Sequence, residues 1–177
     1  SRPKIALDNI AVTSTCNAPI VTAPTTPSPT VCAGTSVILT EIASGGLPPF
    51  AYQWKKGGSP ISGATSSTYS IPSTAVGDSG TYACEVTSSC GTAATSPELT
   101  LTVNPVPSAP STTGDGRCGG GIVNLSASGS GGTLNWYSDA GLTALVNSGA
   151  SYSPSVGGTT TYYVTETSAE GCVSSAT

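Results

Sequence analysis

The sequence predicts an all-β protein, with two β-sandwiches in tandem, each with one disulfide, joined by a Pro-rich linker. Three observations predict it. Apolar residues recur with period 2 and none of the segments carries a helical period. A pattern of landmarks occurs twice: Cys32, Trp54, Tyr82 and Cys90 in the first copy, and Cys118, Trp136, Tyr162 and Cys172 in the second, with thirty-six residues from Trp54 to Cys90 and again from Trp136 to Cys172. Each copy is bracketed by its own pair of cysteines, in a chain with six cysteines. Each repeat is near the size at which a hydrophobic core suffices unaided, where disulfides add most, and such cysteine usage points to an oxidising compartment.

In chain order, residues 1–13, with Lys4-Ile5-Ala6-Leu7-Asp8-Asn9-Ile10-Ala11-Val12, read as the terminal strand of an upstream domain. Residues 14–30 form a Pro/Thr linker with Pro19, Pro24, Pro27 and Pro29. Residues 31–104 form the first sandwich, whose inward faces are Val37 and Leu39, Tyr52 and Trp54, Tyr69 and Ile71, Tyr82, Cys84 and Val86, then Leu99, Leu101 and Val103. Gly45-Gly46, Gly57-Gly58, Ser62-Gly63 and Gly77-Asp78 punctuate these strands as turns. Residues 105–113, with Pro105, Pro107 and Pro110, form the second linker, and residues 114–177 the second sandwich, with Val123, Leu125 and Ala127, Leu134 and Trp136, Tyr162 and Val164. The structural core is accordingly Trp54, Tyr82, Cys84, Trp136 and Tyr162.

Cys32 to Val37 and Cys118 to Val123 are equally spaced, which matches Glu41 to Ala127. A carboxylate is costly in a core, so a bulge is expected that turns Glu41 outward and Ile42 inward. The first sandwich ends thirteen residues after Cys90, whereas Thr177 lies five after Cys172. The second sandwich is therefore expected to lack its last strand. Either the next residues of a longer polypeptide supply it, or Ile5, Leu7 and their neighbours insert from another molecule to make a strand-exchanging fibre.

Asp78-x-Gly80-x-Tyr82-x-Cys84, with Trp54 upstream, resembles the immunoglobulin signature, in which the Tyr makes a corner hydrogen bond and the Trp packs at the centre of the sandwich. Val31-Cys32-Ala33-Gly34 with Ser89-Cys90-Gly91, and Arg117-Cys118-Gly119 with Gly171-Cys172-Val173-Ser174, resemble the Ig-like domains of large secreted and cell-surface proteins of Bacteroidota, many of them adhesin-like substrates of the type IX secretion system. The resemblance covers residues 30 to 177 and implies tandem immunoglobulin-like β-sandwiches acting as spacers or adhesive stalks. It departs from the immunoglobulin pattern at Glu41, which stands where the cysteine partner of Cys84 belongs. Cys84 is then expected to be a buried free thiol, with Cys32 paired to Cys90 and Cys118 to Cys172. Cys16 is left to Cys84 or to a partner upstream, among the fifteen pairings that six cysteines allow.

The chain contains no histidine, which removes the commonest general base and metal ligand. Its nine acidic residues are expected on turns or outward strand positions, without the paired carboxylates of a glycosidase. Asp115-Gly116 could contribute to a calcium site, but it reads first as a turn. Gly119-Gly120-Gly121 lacks the Lys and helix of a phosphate loop. No catalytic residue, metal site or cofactor is therefore assigned. With charged residues at 8% and a net charge of −4, no basic footprint for nucleic acid exists, and no apolar run is long enough for a membrane span.

Tyr137 and Tyr163 point outward by parity on strands expected to be neighbours, so they are either a partner or glycan surface or an ordinary cross-strand pair. The sequence is thus read as a non-catalytic stalk or adhesion segment of a larger bacterial protein, extracellular or at the cell surface. Its partners are the neighbouring domains of the same polypeptide and a glycan or surface protein. A carbohydrate-binding module of an extracellular enzyme and the fibre subunit are the rival readings.

Overall fold

The structure, a computed structural model, describes residues 16–177. The residue 1–13 strand lies outside the described residues. The chain folds into two compact units. The first comprises the described part of Ser1–Pro29 with Val37–Ile71 and Gly80–Leu101; the second comprises Thr30–Ser36, Pro72–Ser79 and Thr102–Thr177.

The first ten strands are β1 (Ile20–Val21), β2 (Thr30–Cys32), β3 (Val37–Thr40), β4 (Ala43–Ser44), β5 (Ala51–Lys56), β6 (Ser59–Pro60), β7 (Thr68–Ile71), β8 (Gly80–Thr87), β9 (Ala93–Thr95) and β10 (Leu99–Asn104). One sheet runs β2-β10-β8-β5-β6, with β9 also paired to β8; β3 pairs with β7, and β1 with β4. Alternation decides which side chains enter the core. Val37 and Leu39 of β3 are buried while Ile38 between them is exposed, and Leu101 and Val103 of β10 repeat the pattern. Trp54 stands opposite Cys84 in the β5–β8 ladder, both fully buried. The Trp54 indole donates to the Ser66 carbonyl at 2.9 Å, which satisfies its one polar atom inside the core. The stretch read as a Pro/Thr linker is ordered into the sandwich edge: Ile20 and Val21 pair with Ser44 and Ala43, and Thr25 bridges Thr40.

The remaining strands are β11 (Ser111–Thr113), β12 (Gly121–Ile122), β13 (Leu125–Ser128), β14 (Thr133–Tyr137), β15 (Leu145–Ser148), β16 (Ser151–Tyr152), β17 (Ser155–Val156) and β18 (Tyr163–Thr167). They make three sheets, ordered β15-β14-β18, β11-β13-β16 and β12-β17. Ala127, Leu134, Trp136 and Val164 form their core, with Leu125, Tyr152 and Tyr162 packed against it. The Trp136 indole donates to the Gly149 carbonyl at 2.8 Å, as Trp54 does to Ser66. Aromatic rings line up likewise: Trp54, Tyr69 and Tyr82 in the first unit, Trp136, Tyr152 and Tyr162 in the second.

Four expectations from the sequence are corrected. Glu41 does not turn outward. It is 2% exposed and Ile42 is 66% exposed, because Glu41 continues the inward parity of Val37 and Leu39 and no bulge intervenes. Nor is every carboxylate on a turn or outward position, since Glu166 is fully buried. The disulfides are Cys16–Cys90 and Cys32–Cys172, with Cys84 buried and Cys118 exposed as free thiols, in place of Cys32–Cys90 and Cys118–Cys172. Each observed bond joins cysteines of one compact unit, Cys16 and Cys90 in the first and Cys32 and Cys172 in the second, whereas Cys32 and Cys90 belong to different units. Finally, β18 is not left bare along its length. Thr167 bridges Val173, the Ser174 amide donates to the Glu166 carbonyl at 2.9 Å, and Thr177 and Val164 exchange backbone hydrogen bonds at 3.1 and 3.2 Å.

Candidate functional site

The second unit carries a groove beside β18, next to a serine clasp that has a counterpart after β9. In the first unit Ser96 clasps Cys84 by two hydrogen bonds, Ser96 amide to Cys84 carbonyl and Cys84 amide to Ser96 hydroxyl, each 2.9 Å. Three residues later Leu99 pairs with Tyr82, and β10 proceeds antiparallel to β8, burying Leu101. In the second unit Ser174 clasps Glu166 by the same two bonds, each 2.9 Å, and three residues later Thr177 meets Val164. Thr177 thus stands where Leu99 stands. Beyond it, along Thr160–Val164, lie two adjoining hollows of about 360 and 280 Å³ that share Asp115, Leu125, Thr160 and Tyr162. Val123 and Val156 line the larger, Trp136 and Val164 the smaller. Burial and the neighbouring Tyr152 ring push the Tyr162 phenol above its usual pKa, so it enters the groove as a neutral hydroxyl on an aromatic wall.

The carboxylates near this groove hold loops. Asp115 accepts from the amides of Gly116 at 2.8 Å and Asn124 at 2.9 Å, which makes it a turn residue in this structure. Arg117 donates to the Ile122 carbonyl at 2.9 Å. Glu166 accepts from the Ser130 amide at 2.8 Å, the Ser130 hydroxyl at 3.0 Å and the Gly132 amide at 2.5 Å, and those amides, led by Ser130, hold its carboxyl below the usual range. The turn must be glycine-rich to close around it: a Cβ on Gly129 would stand 2.4 Å from a Glu166 oxygen, and one on Gly132 would stand 2.4 Å from the Thr167 carbonyl oxygen. Asp139 accepts from Ala144 and Thr143, whose amides lower its pKa in the same way. Glu41 is the opposite case. Burial raises its pKa, outweighing the lowering contributions of the Ser96 side chain and of the Thr22 and Ile42 backbone. Burial likewise pushes the Cys84 thiol up to about 11, with the Glu41 carboxylate a smaller contributor. Such a thiol is an inert core group rather than a nucleophile. Among the described residues no group of three or more His, Cys, Asp or Glu is placed to hold a metal ion.

Tyr137 and Tyr163 stand directly opposite one another in the β14–β18 ladder, both half-buried. The core residues Trp54, Tyr82, Cys84 and Trp136 are buried, and Tyr162 is half-buried at the groove. Period-2 reading misses Glu166, Ser96 and Ser174. Their signals are nonlocal: a Gly-rich turn at Gly129-Ser130-Gly131-Gly132 that needs an acceptor, and a serine at matched places after the strands that carry Cys84 and Glu166.

Two family models match the chain. One described as an immunoglobulin domain matches residues 18–103, and one described as an Ig-like domain, CHU_C associated, matches residues 107–177. The chain therefore consists of tandem immunoglobulin-like domains. The decoration protein of Escherichia phage T5 is 40% identical over 80 residues, which is 45% of this chain and 49% of that protein, so the chain spans about half the length of this curated relative. Among solved structures, the three N-terminal domains of the bacteriophage RB49 highly immunogenic outer capsid protein are 14% identical, with a TM-score of 0.46 over 82% of this chain and 54% of that one. The fibronectin(III)-like modules of Clostridium thermocellum CbhA are 16% identical, with a TM-score of 0.45 over 87% and 90%. Sidekick-1 immunoglobulin domains 1–5 are 18% identical, with a TM-score of 0.45 over 88% and 36%.

Proposed function

We propose that the chain is a non-catalytic adhesion or accessory structural segment, displayed on the outside of a larger bacterial surface protein or particle. The observation that carries this reading is the use made of its reactive groups. The chain has no histidine, the carboxylates of Asp115, Asp139 and Glu166 are engaged in closing turns, and Glu41 and Cys84 are sealed in the core of their sandwich. An accessory role is supported by the similarity to a phage decoration protein, and an oxidising, exterior location by the two disulfides. A stalk or adhesive segment of a secreted Bacteroidota protein, carried by the type IX system, is the finer form of the proposal. Its domain limits are proposed as residues 31–104 and 114–177, with the edge strands β1 and β11 belonging to the sandwiches they pair with.

The test is binding of the labelled full chain to whole bacterial cells, to tailed-phage particles and to a glycan array. Saturable binding to cells or particles, with no turnover of glycan or peptide substrates, is expected; hydrolysis of any of them would overturn the reading. The Tyr137–Tyr163 pair supports a second reading, a carbohydrate-binding surface. That reading requires array binding that is lost in Tyr137→Ala and Tyr163→Ala, and is refuted by an array that stays dark.

A further inference from the structure

We propose that the outward face of the β15-β14-β18 sheet binds a neutral oligosaccharide, sugar rings resting on Tyr137 and Tyr163 and hydroxyls bonding Asn135 and Ser148; the proposal rests on the carbohydrate-binding reading of the tyrosine pair. Two rows of side chains cross the three strands on that face. In one, Leu145, Tyr137 and Tyr163 stand abreast, with Leu145 exposed and both tyrosines half-buried. The register shift between Trp136 and Tyr137 completes this row, because it brings Leu145 opposite Tyr137. In the other row, two residues along the strands and so about 7 Å away, stand Ser148, Asn135 and Thr165.

A pyranose offers an apolar C–H face and a rim of hydroxyls, and the two rows supply a partner for each. Asn135 carries both a donor and an acceptor. Its amide nitrogen donates to the Thr167 hydroxyl at 3.3 Å and its side-chain carbonyl accepts from the Ser148 hydroxyl at 2.8 Å, so the polar row is aligned before a ligand arrives. Thr165 adds a polar group that nothing on the sheet satisfies: alternation turns it to the side of Tyr163, it is fully buried, and its hydroxyl has no hydrogen-bond partner, which costs free energy until something bonds it. Charge selects among glycans. Glu166 is the one charged residue of β14, β15 and β18, and it lies on the core side, bonded to Ser130 and Gly132, so the outward face carries no formal charge. Nothing there would balance the carboxylate of a sialic acid or a sulfate group, whereas an uncharged sugar needs no counter-charge. The first domain lacks the arrangement: Lys55 stands opposite Ala83 and Gln53 opposite Glu85, with Lys55 Nζ 2.7 Å from Glu85 Oε2.

The test is the labelled full chain on an array that carries neutral gluco-oligosaccharides beside sialylated and sulfated glycans. Binding to the neutral glycans is expected, and it should change less than about twofold between about 0.05 and 0.5 M salt, since no ion pair contributes; this readout does not depend on any variant folding. Ser148→Ala, which removes an exposed hydroxyl, and Asn135→Ala are each expected to weaken that binding by about threefold to tenfold. Lys55→Ala, in the first domain, is expected to bind as the wild type does. An array that stays dark throughout overturns this inference together with the reading beneath it. A preference for sialylated or sulfated glycans, binding that salt abolishes, or binding that Ser148→Ala and Asn135→Ala leave unchanged overturns this inference alone, while loss of that binding in Tyr137→Ala and Tyr163→Ala would still uphold the tyrosine surface.

Discussion

Ser174 holds Glu166 as Ser96 holds Cys84: in each case the serine amide donates to the strand carbonyl and the serine hydroxyl accepts from the strand amide, all four bonds at 2.9 Å. The serines are 5% and 6% exposed, so no solvent stands ready to replace them. One serine outside the strands, Ser96 between β9 and β10 and Ser174 after β18, thereby pins its segment to the neighbouring strand in each sandwich, whichever side chain that strand carries.

Ser96→Ala and Ser174→Ala each leave a buried amide without its acceptor. Each is expected to lower stability by about 1–3 kcal/mol, the cost of an unsatisfied buried polar group. Thermal unfolding of the two variants checks it, and a change near zero in either would show that the clasp is not what holds the register.

Gly132→Ala places a methyl group 2.4 Å from the Thr167 carbonyl oxygen and 2.9 Å from Glu166 Cγ, where backbone cannot yield cheaply. A loss of about 1–3 kcal/mol or more is expected. Gly158→Ala, with nothing within 4 Å of its added Cβ, is the control and should unfold with the wild type.

Glu41 and Glu166 give the two domains opposite responses to pH. The folded pKa of Glu41 lies above the ordinary 4.5, so its favourable contribution is full below 4.5 and is lost as pH rises through the folded value. Glu166 lies below 4.5, so its contribution is present above 4.5 and is lost as pH falls through the folded value. Acidifying from neutral towards 4.5 is therefore expected to stabilise the first domain, and further acid to weaken the second. Glu41→Gln should abolish the first effect alone. Hydrogen exchange resolved at Leu39 and Val164 over this range measures both, and a first domain that weakens steadily from neutral pH would contradict the assignment.

Period-2 alternation and the Trp-to-Cys spacing suffice to read the sandwiches, because burying Trp54 and Trp136 depends on parity within one strand. Disulfide partners are not legible this way. Pairing Cys32 with Cys90 by repeat logic treats both as ends of one loop, but they belong to different compact units, a division that residue spacing does not show. Glu41 misleads for a related reason: a penalty on a buried carboxylate does not forbid it, since the group can stay neutral where parity carries it inward. The Ser174 clasp on Glu166 is not legible by parity, since it joins a strand to a residue outside any strand.

The disulfide pattern is the most direct test, because the strand registers, the free core thiol and the proposed exterior location all meet in it. Bonds across 74 and 140 residues should stabilise by about 4.5 and 5 kcal/mol in the chain-entropy model. Peptide mapping of the unreduced, alkylated protein is expected to return Cys16 linked to Cys90 and Cys32 linked to Cys172. Cys118 should be alkylated at once and Cys84 only after unfolding. Recovery of Cys32 linked to Cys90, or of Cys118 linked to Cys172, would contradict the account.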